Sequence, residues 1–128
     1  MSRQIVIETL FGEFANLFGD LQNVHYLQES IEDCKVVNTS LGETPAFASG
    51  HVDLVYMGAM TEGQQELVID SLRPYKEDIE RNIAEGTVFL MTGNAMECLE
   101  AYIENEDGTR IEGLGIFPKI HARRQMMD

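Results

Sequence analysis

Residues 52–72, VDLVYMGAMTEGQQELVIDSL, join a short apolar run to a glycine turn and then to a helical repeat. The run at 52–57 predicts a β-strand that ends at Gly58, because glycine tolerates the backbone angles of a sharp turn. Thr61 is followed three residues later by Gln64, a capping-box pattern that favours the start of a helix. This stretch therefore predicts one strand–turn–helix unit of an α/β protein.

The alternation of strand and helix continues on both sides of that unit. Further strands are predicted at 5–7, 35–37 and 87–91, and further helices at 21–33, capped by Asp20, and between Pro74 and about Gly86, with a loop at 40–50. The run at 87–91 is almost wholly apolar, which predicts a central parallel strand buried on both faces. The expected fold class is α/β, a three-layer, flavodoxin-like, mainly parallel sheet with helices on both faces. Its functional rim should lie at the turns that follow residues 9, 57 and 91.

Composition limits the size of the protein and the class of its partners. A chain of 128 residues with 44% hydrophobic residues is enough for a single domain over 1–128. It has no apolar run of the ~20 residues that a transmembrane helix needs and no secretory signal pattern, so we expect a cytoplasmic protein without a membrane contact. A net charge of −13 argues against binding to nucleic acid or to anionic lipid.

The cysteines and histidines give no metal or cofactor motif. Cys34 and Cys98 are far apart in sequence and are expected to be reduced thiols. The three histidines are isolated from one another, and neither a zinc-site spacing nor a GxGxxG or GxxxxGK[ST] phosphate-binding motif occurs. We therefore expect no metal and no cofactor.

Two turns at the predicted rim are candidates for chemistry. Residues 58–61 lead from a strand into a helix, whose exposed amides are suited to an anion or an oxyanion. Residues 91–97 have the geometry of a nucleophile elbow, with Thr92 at the strand end. A threonine hydroxyl is a poor nucleophile unless a base activates it, so Thr92 is interpreted as a turn residue.

The elbow sequence also predicts the helix that follows it. Asn94 and Glu97 fit a capping box, and the apolar face of the helix would consist of Ala95, Met96, Leu99 and Ile103. Cys98 lies six residues after Thr92, beyond the first turn of this helix, and at ~1.5 Å of rise per residue it has moved away from the rim. We therefore interpret Cys98 as a buried structural cysteine.

Several segments together resemble the front part of a class I glutamine amidotransferase domain, of the cobyric acid synthase and lipid II isoglutaminyl synthase type. They are LFGDLQNV (17–24), DLVYMGAM (53–60), Gln65 with its helix, VFLMTGN (88–94), and DGT (107–109) with EGLGI (112–116). Their order and spacing agree with the family over about residues 5–117. The resemblance implies glutamine hydrolysis by an elbow cysteine and a later histidine, with ammonia passing to an ATP-dependent, Mur ligase-like synthetase partner.

The resemblance also assigns positions in this chain. Gly58 and Ala59 would belong to the oxyanion turn, Gly93 would supply the amide after the nucleophile, and Arg124 would meet the carboxylate of a glutamine-like substrate. Thr92 stands where the family has its cysteine, while Ala59-Met60 and Asn94 stand where it has glycines. The chain ends at Asp128, before the family histidine is expected.

These departures predict a protein that lacks glutaminase activity by the family mechanism and acts as a binding or partner subunit. Two alternatives stay open: an active amidotransferase completed by residues beyond 128, and a flavodoxin-like module for small ligands. A sheet without its later strands should expose an apolar edge and face, which predicts a partner, self-association or a further C-terminal segment.

Overall fold

The computed structural model describes residues 4–13 and 21–124, and these form an α/β domain. The strands are β1 (Ile5–Leu10), β2 (Cys34–Thr39), β3 (Leu54–Met57), β4 (Val88–Met91), β5 (Tyr102–Glu104), β6 (Arg110–Glu112) and β7 (Ala122–Arg123). The α-helices are α1 (Leu21–Ser30), α2 (Ala46–Ser49), α3 (Glu62–Leu72) and α4 (Lys76–Ala84), and two 3-10 helices span Arg73–Tyr75 and Gly93–Leu99. In the part of the chain that is described, no helix is long and apolar enough to cross a membrane.

The main sheet is parallel throughout and has the strand order β2-β1-β3-β4. Because its strands run the same way, their carboxyl ends meet at one rim, and the backbone N–H of Thr92 donates to the carbonyl of Met57 at 3.1 Å. A second small sheet has the order β6-β5-β7. The predicted mainly parallel sheet is therefore confirmed.

Helices cover both faces of the main sheet, as predicted. On one face Val24 of α1 packs with Ile7 of β1 and Tyr56 of β3. The other face carries the larger core, in which α2, α3 and α4 contribute Phe47, Val68 and Ile79 among others. Successive strand residues point to opposite faces, so Tyr56 and its neighbour Val55 belong to different layers of the core.

The predicted strand at 87–91 is the largest correction to the fold. Strand β4 is the edge strand of the described sheet rather than a central one. Phe89 and Met91 pack against the larger core, but Val88 and Leu90, on the opposite face, are 55% and 38% exposed. The helix on that face, α1, packs over β1 and β3, and so it leaves β4 uncovered.

The predicted loop at 40–50 contains the short helix α2, and a buried carboxylate explains it. Glu8 of β1 is fully buried and accepts hydrogen bonds from the backbone N–H groups of Ala46 and Phe47 at 2.8 and 3.0 Å. The hydroxyl of Thr39 donates to the same carboxylate. Since a buried carboxylate requires such donors, Glu8 fixes the start of α2 against the sheet.

The remaining predicted boundaries hold in part. Thr61 and Gln64 form the predicted capping box at the start of α3, with hydrogen bonds of 3.3 and 2.9 Å. Pro74 interrupts the helical run within a 3-10 turn, as predicted. Helix α1 ends at Ser30 rather than near residue 33. The predicted cap at Asp20 and the first part of the 17–24 motif lie outside the described residues.

Candidate functional site

The two predicted turns meet at the carboxyl rim of the sheet. Gly93 opens the 3-10 helix Gly93–Leu99, here called the elbow helix, and its φ of +57° lies in the left-handed region. A Cβ atom placed on Gly93 would lie 2.8 Å from the Cβ of Ala59, closer than real carbon contacts allow. Glycine at this position therefore satisfies both the bend of the elbow and its close approach to the turn after β3.

The side chain of Asn94 joins the two turns. Its Oδ1 accepts from the backbone N–H of Met60 at 3.0 Å, and its Nδ2 donates to the carbonyl of Met60 at 2.7 Å. The predicted capping box between Asn94 and Glu97 is wrong, because both side chains are engaged elsewhere. The predicted apolar helix face is also wrong, since the elbow helix ends at Leu99 and Ile103 belongs to β5.

The elbow exposes backbone donors at this rim. Within the described parts of the chain, the N–H groups of Gly93 and Asn94 donate no hydrogen bond, whereas that of Ala95 donates to the carbonyl of Thr92 at 3.1 Å. Amides at the start of a helix are suited to an anion or to the oxygen of a polarised carbonyl. Gly58 and Ala59, the two residues that the resemblance assigns to the oxyanion turn, are both buried, and Ala59 lies directly beside Gly93 of the elbow.

Gln65 supports the elbow from α3, a role that the sequence motifs did not assign to it. It is fully buried, and its Nε2 donates to the carbonyl of Asn94 at 2.9 Å and to Glu97 at 3.0 Å. The capping box one residue earlier in the sequence fixes the start of α3, and so it fixes the direction from which Gln65 reaches the elbow. A glutamine on an otherwise apolar helix face was the sequence signal for this contact.

The guanidinium group of Arg124 is held by other residues of the protein. Its Nη2 donates to the Oε1 of Gln65 at 2.6 Å and to the carbonyl of Glu62 at 3.3 Å, and its Nη1 donates to Asn105 at 2.8 Å. The terminal nitrogens of this guanidinium are thus committed to the protein. Binding of a substrate carboxylate by Arg124 stays a prediction, and it would require these contacts to rearrange.

Thr92, which the resemblance aligns with the family nucleophile, directly follows β4, and the three histidines lie on other elements. His51 pairs with Asp53 at 2.9 Å before β3, at the amino-terminal end of that strand. The four residues of β3 separate this end from the carboxyl rim, which is about 13 Å at ~3.3 Å per residue. His121 stacks on Tyr102 of the small sheet, with ring centroids 4.6 Å apart. The third, His25, is exposed on α1.

Cys98 is unsuited to replace a missing nucleophile. Its side chain is fully buried in the core, as the sequence predicted. Burial, reinforced by the charge of Glu97, raises the pKa of the Cys98 thiol to about 12. The thiolate is the nucleophilic form of cysteine, so this thiol is inert near neutral pH. Across the described residues, no cluster of three or more histidine, cysteine or carboxylate side chains could hold a metal ion.

Comparison with known proteins supports the amidotransferase resemblance. No family model matches the chain. The lipid II isoglutaminyl synthase (glutamine-hydrolyzing) subunit GatD of Streptococcus pneumoniae (strain ATCC BAA-255 / R6) is 30% identical over 117 residues, covering 88% of this chain and 44% of that protein. The subunit of the same name from Staphylococcus aureus (strain N315) is 24% identical over 115 residues, covering 88% and 47%. The chain thus spans about half the length of the curated relatives it matches.

Proposed function

We propose that this amidotransferase-like chain is a binding or partner subunit that does not hydrolyse glutamine by the family's cysteine mechanism. The observation that carries the proposal is the threonine that follows β4, where the family pattern has its cysteine, on an elbow that keeps part of that pattern. The elbow glycine, the close approach of the turn after β3 and the unpaired amides of Gly93 and Asn94 are all present. The scaffold of the site is kept while its reactive group is replaced.

Chemistry argues against turnover at Thr92. A hydroxyl attacks an amide only when a base removes its proton, and nucleophile and base lose activity together when either is missing. Of the three histidines, His51 lies before the amino-terminal end of β3, His121 stacks on Tyr102, and His25 is exposed on α1. Cys98 is buried and protonated. The placement of these histidines and of Cys98 therefore gives no support to a nucleophile–base unit at this site.

The partner part of the proposal rests on the relatives and on the sheet edge. Both relatives are named as subunits of a synthase, which makes an ATP-dependent, Mur ligase-like synthetase the partner that we propose. Val88 and Leu90 expose apolar surface beside the unpaired edge of β4 in the described sheet. An edge strand with apolar neighbours is a surface that proteins usually cover.

Ammonia release from L-glutamine tests the proposal. The purified chain, Thr92→Ala and Thr92→Cys are each assayed, and all three should stay at the background rate of the buffer. Thr92→Cys is informative because it restores the family nucleophile but not a base, so it should remain inactive alone. Turnover by the wild-type chain that Thr92→Ala abolishes would instead favour an active amidotransferase.

A further inference from the structure

The contact between Asn94 and Met60 has the chemistry of ligand recognition. A primary carboxamide presents one acceptor oxygen and two donor hydrogens on the same small group. In this chain the carboxamide of Asn94 meets both polar groups of one residue, the N–H of Met60 at 3.0 Å and its carbonyl at 2.7 Å. Glutamine carries the same head group, a primary carboxamide.

We propose that Asn94 is an internal carboxamide ligand, which fills from within the chain a position where the turn after β3 can bind the primary carboxamide of an external ligand. In the wild-type chain the side chain of Asn94 therefore closes this position to such a ligand. The inference rests on the proposed function for its ligand class, a glutamine-like amide. It goes further by naming the residue that excludes such an amide from the wild-type chain.

The burial of Met60 explains why its backbone needs a partner. Met60 is 1% exposed, and a buried backbone N–H or carbonyl without a hydrogen bond costs free energy. Asn94 supplies both partners at once. A glycine at position 94, which the family motif has, would leave both groups of Met60 unpaired and available to a bound amide.

The elbow backbone is held independently of the Asn94 side chain. Gln65 donates to the carbonyl of Asn94 at 2.9 Å, and the N–H of Ala95 donates to the carbonyl of Thr92 at 3.1 Å. Replacing Asn94 with glycine should therefore remove the whole side chain, its Cβ included, without releasing the elbow. What remains is a small space with one donor and one acceptor, which matches acetamide in size and polarity.

Acetamide binding to Asn94→Gly tests the inference, with the backbone N–H of Met60 as the reporter in ¹⁵N–¹H NMR spectra. Acetamide should shift this signal saturably in Asn94→Gly and bind at least about tenfold more tightly than to the wild-type chain, as expected for two recovered hydrogen bonds. N,N-dimethylacetamide, which lacks the N–H donors, should not produce the shift. Asn105→Ala, which removes an asparagine that bonds Thr109 and Arg124, is the matched control and should behave as wild type.

Equal acetamide responses in the wild-type chain and Asn94→Gly, or an equal response to N,N-dimethylacetamide, would overturn the inference. Asn94→Asp provides a second route if Asn94→Gly does not fold. An ionised aspartate can accept from Met60 but cannot donate to its carbonyl, whereas a protonated one can do both. Its unfolding free energy relative to wild type should therefore recover as pH falls, and a pH-independent difference would contradict the proposed contact. Neither arm uses glutamine or a partner protein, so each stands apart from the outcome of the ammonia assay.

Discussion

Alkylation of the two cysteines tests whether any thiol in this chain is a nucleophile. Iodoacetamide reacts with the thiolate, so the rate follows the ionised fraction and the exposure of each sulfur. The pKa of Cys98 is raised from 9.0 to about 12. At pH 8 the ionised fraction then falls from about one tenth to about one ten-thousandth, a loss on the order of 10³ in rate.

Cys34 is the internal reference for this experiment. It is partly exposed, and burial with the neighbouring charge of Asp33 raises its pKa as well, so it is slow but reachable. We expect Cys34 to be modified at least about a hundredfold faster than Cys98 at pH 8, measured by peptide mapping over time. In urea the two rates should become similar. Modification of Cys98 at the rate of Cys34 in the native protein would refute the interpretation of Cys98 as an unreactive thiol. Cys98 would then again be a candidate for a displaced nucleophile.

Three further outcomes follow from packing, charge and exposure. Gly113→Ala should lower the free energy of unfolding by more than about 3 kcal/mol, because the new Cβ would lie 2.2 Å from the carbonyl oxygen of Glu100. Gly63→Ala is the control and should not destabilise α3, because the space around Gly63 is open. Denaturant titration compares the unfolding free energies of the two variants. Burial, reinforced by the charge of Glu97 and opposed by His121, raises the pKa of Glu100 above 4.5. The contribution of Glu100 to stability is therefore complete below pH 4.5 and is lost as pH rises through the folded-state pKa. Glu100→Gln should be more stable than the wild-type protein at pH 8 and should flatten this pH dependence in thermal melts. Light scattering should show a mass above that of the monomer, from self-association or from complex formation with a partner, and Val88→Asp and Leu90→Asp should reduce it. A monodisperse wild-type monomer would contradict a need to cover the exposed face of β4.

Much of the sheet was predictable because its strands carry the pattern of parallel strands in their own sequence. The capping box of Thr61 and Gln64 located α3 to the residue, since both partners are only three positions apart. The predicted strand at 5–7 stopped before Glu8, whereas β1 continues to Leu10, because a charged residue ordinarily ends an apolar run. Its stabilising donors, Ala46 and Phe47, lie 38 and 39 residues away and are invisible to a local pattern.

The elbow shows the same limit at the candidate site. Spacing correctly placed a strand end at Met91 and a turn at Gly93, but it assigned Asn94 and Glu97 to a capping box. Both have the residue types for that motif. Tertiary contacts with Met60 and Gln65 use their side chains instead, and the segment forms a 3-10 helix without a side-chain cap. Sequence periodicity likewise could not tell that β4 lies at an edge, because an apolar run looks the same in both places.

Covalent labelling of the elbow gives the most direct test of the claim that this amidotransferase-like site lacks an activated nucleophile. A glutamine analogue that carries a diazoketone alkylates an activated nucleophile, and intact mass spectrometry detects one adduct per chain. We predict an unchanged mass for the wild-type protein, with neither Thr92 nor Cys98 modified. A stoichiometric adduct on Thr92 that is lost in Thr92→Ala would contradict the account.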